Sequence, residues 1–205
     1  MRNVSRDRIL LLFIYLVAFG TGFFIGNSYT EMPLLGKTFL MILPATIVIW
    51  LFSFLLNNSS VFDPYWSVAP AVTFGFFWWQ ILPVPGWAAA PLFSVARNVM
   101  VFLLLLIYGT RLTWNFLRGW KGLKQEDWRY AEIRKKTGVL YWTASLVGIH
   151  LFPALLVFAG CLSLFVVATR GNSPGFLDIL GILVTGNAIW LEATADRQLR
   201  NFIRD

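Results

Sequence analysis

The side chains of this sequence that could do chemistry fall in four places. Arg97, with Asn98 beside it, and His150 stand inside long apolar runs. A polar group kept inside lipid is expensive and therefore informative. Arg97 lies 11 residues before Tyr108, and His150 lies 10 residues after Leu140, the inner ends of two predicted membrane spans. At the helical rise both sit roughly 15 Å deep, so the two could share a site. One reading is an intramembrane polar pocket reached by water. The other has Arg97 bonded to carbonyls of a neighbouring helix and His150 as a neutral structural donor. Asp63-Pro64-Tyr65-Trp66 opens a third predicted span. Asp suits a helix N-cap, Pro its first turn, and Tyr and Trp the membrane interface. Alternatively, Asp63 is a polar anchor at a cavity mouth. Glu192 and Asp196, four apart on one helical face, either orient a ligand or pair with Arg200.

Several chemistries are missing. There is no Gly-rich dinucleotide fingerprint, P-loop, CxxC, HExxH or serine nucleophile elbow. One histidine and one cysteine do not build a zinc or haem site, so no metal is expected. The single Cys161, in an apolar run, permits no intramolecular disulfide.

The elements that must position these residues are membrane helices. The 205 residues are 58% hydrophobic and only 13% charged, against roughly 25% charged in soluble domains. Spans are expected near 9–26, 34–56, 66–82, 88–108, 140–167 and 176–190, forming one membrane domain. The third and sixth are short. Asn57-Asn58-Ser59-Ser60, Pro83-Val84-Pro85-Gly86 and Gly171-Asn172-Ser173-Pro174-Gly175 read as turns. Arg2, Arg6 and Arg8 before the first run resemble a signal peptide, but the run is long and lacks a small-x-small cleavage site, so it reads as an uncleaved helix. With the N-terminus inside, fourteen of the 17 basic residues fall on the inner side, as the positive-inside rule requires. The expected fold is therefore an all-α polytopic bundle of about six transmembrane helices with both termini cytoplasmic. The net charge of +7 sits beside apolar runs and points to anionic lipid rather than nucleic acid. A basic stretch, residues 109–138, carries interleaved aromatics and reads as interfacial.

Asp63-Pro64-Tyr65-Trp66-Ser67-Val68-Ala69-Pro70 resembles a segment of the DUF1295 family, membrane proteins related to steroid 5-alpha-reductases. Arg111-Leu112-Thr113-Trp114-Asn115-Phe116 with Arg118, Glu126-Asp127-Trp128-Arg129-Tyr130, Gly148-Ile149-His150-Leu151-Phe152-Pro153, and Glu192-Ala193-Thr194-Ala195-Asp196 with Gln198-Leu199 are similar too. The resemblance runs from about residue 40 to the end. It implies a membrane oxidoreductase that passes hydride from NADPH, bound at the cytoplasmic side, to an alkene conjugated with a carbonyl in an apolar lipid, sterol or isoprenoid. It implies that Arg111, Asn115, Arg118 and Arg129 meet cofactor phosphates or ribose, and that Glu192 and Asp196 orient the cofactor. Asp63, Tyr65 and Trp66 would face the substrate cavity with Arg97 and His150. Tyr65 and Asp63 are the catalytic candidates, Tyr65 as the acid near a developing enolate.

The family continues through an Arg-His-Pro-Asn-Tyr-x-Gly-Glu segment, and this sequence ends at Asp205, before it. The resemblance implies that this segment completes the nucleotide site, supplied by a separate C-terminal fragment if at all. A multi-pass protein of a bacterial-type inner membrane is expected. Two rivals stand beside the reductase. One is a non-enzymatic membrane scaffold or lipid- or partner-binding subunit. The other is a relative of the isoprenylcysteine methyltransferases, which would use S-adenosylmethionine.

Overall fold

In lipid every backbone N–H and C=O must be satisfied inside the chain, and helices do this locally. The computed structural model describes residues 4–82, 92–169 and 174–204, and among these it contains helices and turns but no strand. The helices are α1 (Val4–Ser28), α2 (Leu34–Leu55), α3 (Tyr65–Ile81), α4 (Leu92–Gly119), α5 (Trp128–Thr137), α6 (Tyr141–Ala144), α7 (Phe152–Thr169) and α8 (Phe176–Arg204). A π-helical stretch, Ser145–Leu151, joins α6 to α7, and a 3-10 turn, Ser59–Phe62, precedes α3. Among the described residues, five helical stretches are long and apolar enough to cross a membrane: α1, α2, α4, α8 and the run Trp128–Thr169. The protein is thus a multi-pass membrane bundle. The remaining predicted span, α3, has 17 residues, or about 25 Å.

Three features depart from the boundaries drawn on the sequence. Helix α4 continues past Tyr108 to Gly119, because Phe116 and Leu117 pack against the core and prolong its apolar face beneath the basic residues. The basic stretch is consequently helix, connector and helix, with only residues 120–127 between α4 and α5. The π turn lies directly before Pro153, which cannot donate to the Ile149 carbonyl and crowds it; a wider turn relieves that clash. The predicted turn at 83–86 and most of that at 171–175 lie outside the described residues, as do Pro91, Arg2 and Arg170.

The core lies between α1, α2, α3 and α7. Ile14, Met41, Ile49, Phe62 and Tyr65 are fully enclosed there. Between α1 and α2 the approach is closest. Gly22 and Gly26, one small-xxx-small repeat, face the α2 backbone. A Cβ on Gly22 would stand 2.1 Å from the Met41 carbonyl oxygen, and one on Gly26 would stand 2.6 Å from that of Lys37. Gly109 makes the equivalent contact between α4 and α3, 2.5 Å from the Ser67 carbonyl oxygen. By contrast, the most apolar stretch of α8 contributes no buried residue.

Contacts bring the first turns of α1, the last turns of α4, the 120–127 connector and the last turns of α8 to one end of the bundle. Arg8 donates to the Leu117 carbonyl at 2.5 Å, and the Leu123 N–H donates to Asp7 at 3.0 Å. This is the basic end. At the opposite end Gln80 donates to Asn27 at 2.8 Å.

Gly22 and Gly20 form an internal comparison, since a Cβ on Gly20 meets nothing within 4 Å. Gly20→Ala should leave thermal stability in detergent unchanged or raise it by about 1 kcal/mol, the helix-propensity gain. Gly22→Ala should lower it by several °C, because α1 and α2 must separate. Equal melting temperatures for the two variants would contradict this packing.

Candidate functional site

Two polar clusters occupy the basic end. The first joins α4 to α8. Arg111 and Asn115 are four apart on α4; Glu192, Asp196 and Arg200 repeat every four residues on α8, so each set lies on one face. Arg111 Nη1 pairs with Asp196 Oδ2 at 2.7 Å, and Arg111 Nη2 pairs with Glu192. Arg200 Nη1 donates to Asn115 Oδ1 at 2.8 Å. The pairing of Asp196 with Arg200 considered from the sequence is replaced by cross-helix partners, since Arg111 reaches both carboxylates at once. Arg111 Nε is buried, with no hydrogen-bond partner among the described residues. Tyr108, one turn earlier on α4, is half-buried beside this cluster, and Arg118 is exposed in the last turn of α4.

The second cluster lies where the 3-10 turn meets the start of α5. Asp127 caps α5, accepting from the Arg129 N–H at 2.9 Å. Its carboxylate also holds the Arg129 guanidinium, through Nε at 2.8 Å and Nη2 at 3.0 Å. That contact draws the Asp127 carboxyl below the usual range. Asp63 accepts from the Tyr130 hydroxyl at 2.6 Å. Burial pushes its carboxyl up to about 6, against the pull of the Tyr130 and Ser60 hydrogen bonds. A small polar cavity of about 170 Å³ opens here, lined by Ser60, Asp63, Gln125, Asp127 and the Phe116 and Trp120 rings.

Behind these clusters runs a hydrogen-bonded chain. His150 Nδ1 donates to the Ser145 carbonyl at 3.0 Å, and its Nε2 lies 3.2 Å from Ser53 Oγ on α2. Ser145 Oγ is 3.1 Å from Ser59 Oγ, which is 2.6 Å from the Tyr141 hydroxyl. Tyr141 donates to Glu126 at 3.2 Å, and Arg134 pairs with Glu126 at 3.1 Å. The π turn places Ser145 and His150 to bond each other. The sequence marks His150, but nothing in a single sequence marks Ser59, Ser145 and Tyr141 as its continuation.

The other expected residues have distinct settings. Tyr65 is buried between the Phe62 and Phe19 rings, at centroid distances of 4.6 and 5.8 Å, and its hydroxyl lies 3.2 Å from Thr46 Oγ1. Trp66 is exposed on the bundle surface. Arg97 grips Asp178 of α8, with Nε 2.7 Å from Oδ1 and Nη2 3.1 Å from Oδ2. Asn98 is fully buried, and among the described residues neither amide atom has a hydrogen-bond partner. Arg97 and His150, whose equal depth allowed a shared site, have separate partners: Arg97 turns to α8, His150 to α2. Asp178 is the functional-type residue the sequence reading missed; an acidic side chain in the first turn of an apolar helix was its signal.

A family comparison bears on residues 49–205, which match DUF1295, described as a protein of unknown function. The chain belongs to the DUF1295 family. Four of the five family-like segments converge, in pairs, on the two clusters at the basic end, and the fifth carries His150 into the hydrogen-bonded chain behind them. No curated protein and no solved structure matches the chain.

The raised Asp63 carboxyl has a consequence for stability. A group whose folded-state pKa exceeds its unfolded value stabilises the fold below the unfolded pKa, and that contribution is lost as pH rises through the folded value. Between pH 4 and about 6 Asp63 therefore costs the fold stability as it ionises. Asp63→Asn keeps an acceptor for Tyr130 and removes the charge. It should raise stability at pH 7.5 by about 1–3 kcal/mol, and the gain should vanish near pH 4. Melting curves of both proteins across that range test it; a gain independent of pH would exclude Asp63 as its source.

Proposed function

We propose that this DUF1295 chain forms the membrane part of an NADPH-dependent reductase acting on an apolar enone or enoyl substrate. The observation that carries the reading is the first cluster. Arg111, Asn115, Glu192 and Asp196, from segments about eighty residues apart, meet at one end of the bundle, where an apolar interior adjoins basic side chains. In this reading the membrane is a bacterial-type inner membrane and the basic end faces the cytoplasm, an orientation that the distribution of Lys and Arg supports.

The donor set fits an anionic nucleotide. Arg118 is open to solvent at the end of α4, one turn of helix beyond the Arg111–Asn115 face. Guanidinium forks suit phosphate oxygens. Glu192 and Asp196 are acceptors for ribose hydroxyls, and Arg129 borders the second cluster. When bound, NADPH supplies a hydride to the alkene carbon β to the carbonyl. The chain's own work is then to hold the phosphates, keep water out of the apolar side, and stabilise charge on the carbonyl oxygen. Tyr108, a phenol between the cluster and the apolar interior, is placed for that last task. Tyr65, the catalytic candidate expected from the family, would need its stacked rings to part before it reached a substrate. The non-enzymatic scaffold retains one point in its favour: Glu192 and Asp196 already neutralise Arg111 without any ligand.

Calorimetric titration of NADPH into the purified chain in detergent, with S-adenosylmethionine as the comparison, tests the reading. Saturable NADPH binding is expected, weakened at least tenfold by Arg118→Ala, which costs the fold nothing because the side chain is exposed. Heat from S-adenosylmethionine alone would assign the chain to methyl transfer. No response to either nucleotide would favour the scaffold.

A further inference from the structure

Helix α8 is attached to α4 at its two ends and barely in between. At the end away from the basic cluster Arg97 grips Asp178; at the basic end Arg111 grips Glu192 and Asp196. These clips are 14 residues apart on α4, about 21 Å. Between them the facing residues of α8 include Gly181 and Thr185, too small to reach α4 and α7. A cavity of about 500 Å³ remains, bounded by α4, α7 and α8. It extends from the Arg97–Asp178 pair to Tyr108, 11 residues along α4, or about 16 Å. Its length is several times that of a single ring, so its shape suits a hydrocarbon chain lying along the helix axis. The walls between the ends are apolar: Val101, Leu104, Leu164 and Ile182 among them. Polar groups occur mainly at the two ends, so an occupant is apolar along its length with any polar head beside Tyr108, the lining residue nearest the basic cluster.

We infer that the cavity between α4, α7 and α8 binds one linear hydrocarbon chain, acyl or linear isoprenoid, with its head at the basic end and its tail reaching the Arg97–Asp178 pair. As a substrate site this rests on the reductase reading, and it narrows that reading from apolar enones in general to chain-like ones. The chain enters sideways between α4 and α8, since the two clips leave the middle of that interface unpacked. Apolar burial along the walls supplies the binding energy, and the charged clips keep the slot from collapsing.

Two glycines of α8 provide the test. A Cβ on either Gly181 or Gly186 meets nothing within 4 Å, but only Gly181 lines the cavity. The full chain in phosphatidylcholine nanodiscs is labelled with a palmitate analogue carrying a diazirine near the chain end, and the adducts are mapped by mass spectrometry. Adducts should concentrate on the cavity-facing residues of α4, α7 and α8. They should fall at least fivefold in Gly181→Phe and stay unchanged in Gly186→Phe. Thr185→Leu, a second plug, guards against a folding defect in the first, and melting curves of all variants check integrity. A diazirine-bearing sterol should label the outer surface instead. Adducts spread over the lipid-facing surface, or unaffected by both plugs, would overturn the proposal, as would sterol adducts inside the slot. The readout needs no nucleotide. Slot labelling without NADPH binding would sink the reductase reading and leave the chain site standing; NADPH binding with plug-insensitive labelling would do the reverse.

Discussion

The carboxamide of Asn58 holds the basic end together. Its NH₂ donates to the Leu123 carbonyl at 2.7 Å and the Gln125 carbonyl at 2.9 Å, and its oxygen accepts from the Ser60 N–H at 2.8 Å. Ser59 N–H donates to Glu126, and Asp127 N–H donates to Ser60 Oγ, both at 2.8 Å. A connector with exposed backbone could not lie against an apolar bundle, because each unpaired buried group costs a few kcal/mol. Residues 58–60 pay that debt for residues 123–127, and Gly122 completes the fit. Its φ of +95 and its missing Cβ let the connector pass against the Asp7 carboxylate. With the connector fixed, the end of α4 and the start of α5 are fixed too, and with them both polar clusters.

The bundle therefore divides into two kinds of interface. Around α1, α2, α3 and α7, glycines, rings and hydrogen-bonded hydroxyls close the packing. Tyr15 of α1 donates toward the Val61 and Phe62 carbonyls, and Phe62 leans on His150. Around α8 the attachment is electrostatic and confined to the ends. Such pairs are worth more away from water than at a surface, yet they leave side chains between them unpacked. A rigid core with a loosely sutured helix is an arrangement that positions polar groups while leaving lateral access from lipid. Both proposals above draw on that asymmetry.

Some of this was legible in advance. The apolar runs announced a membrane bundle, because no soluble core could absorb them, and the family segments marked most of the residues that form both clusters, though not Arg200, Ser60 or Gln125. The Gly22–Gly26 spacing carries a close-packing signal as well, but inside an apolar run nothing singles it out until α2 is seen against it. Asn57 to Ser60 misleads in the opposite direction. Four polar residues in a row read as a turn, and nothing in them signals that Asn58, Ser59 and Ser60 are buried. Their polarity serves backbone groups that become neighbours only on folding, more than sixty residues away.

The sequence by itself determined the class of the protein, its family, and which side chains are costly enough to need partners. Hydrophobic run length and residue type are local properties, and the bilayer's thickness converts them directly into helices. Partner choice is not local. Whether Arg111 turned to a ligand, to a neighbour on its own helix or to Glu192 and Asp196 depended on the rotation of α4 against α8. Likewise Arg97 found Asp178 and not His150 because α4 presents that face to α8 while His150 points to α2. Only the packing of helices distant in sequence sets those rotations, so only the tertiary structure could decide where the paired charges, and the slot between them, would lie.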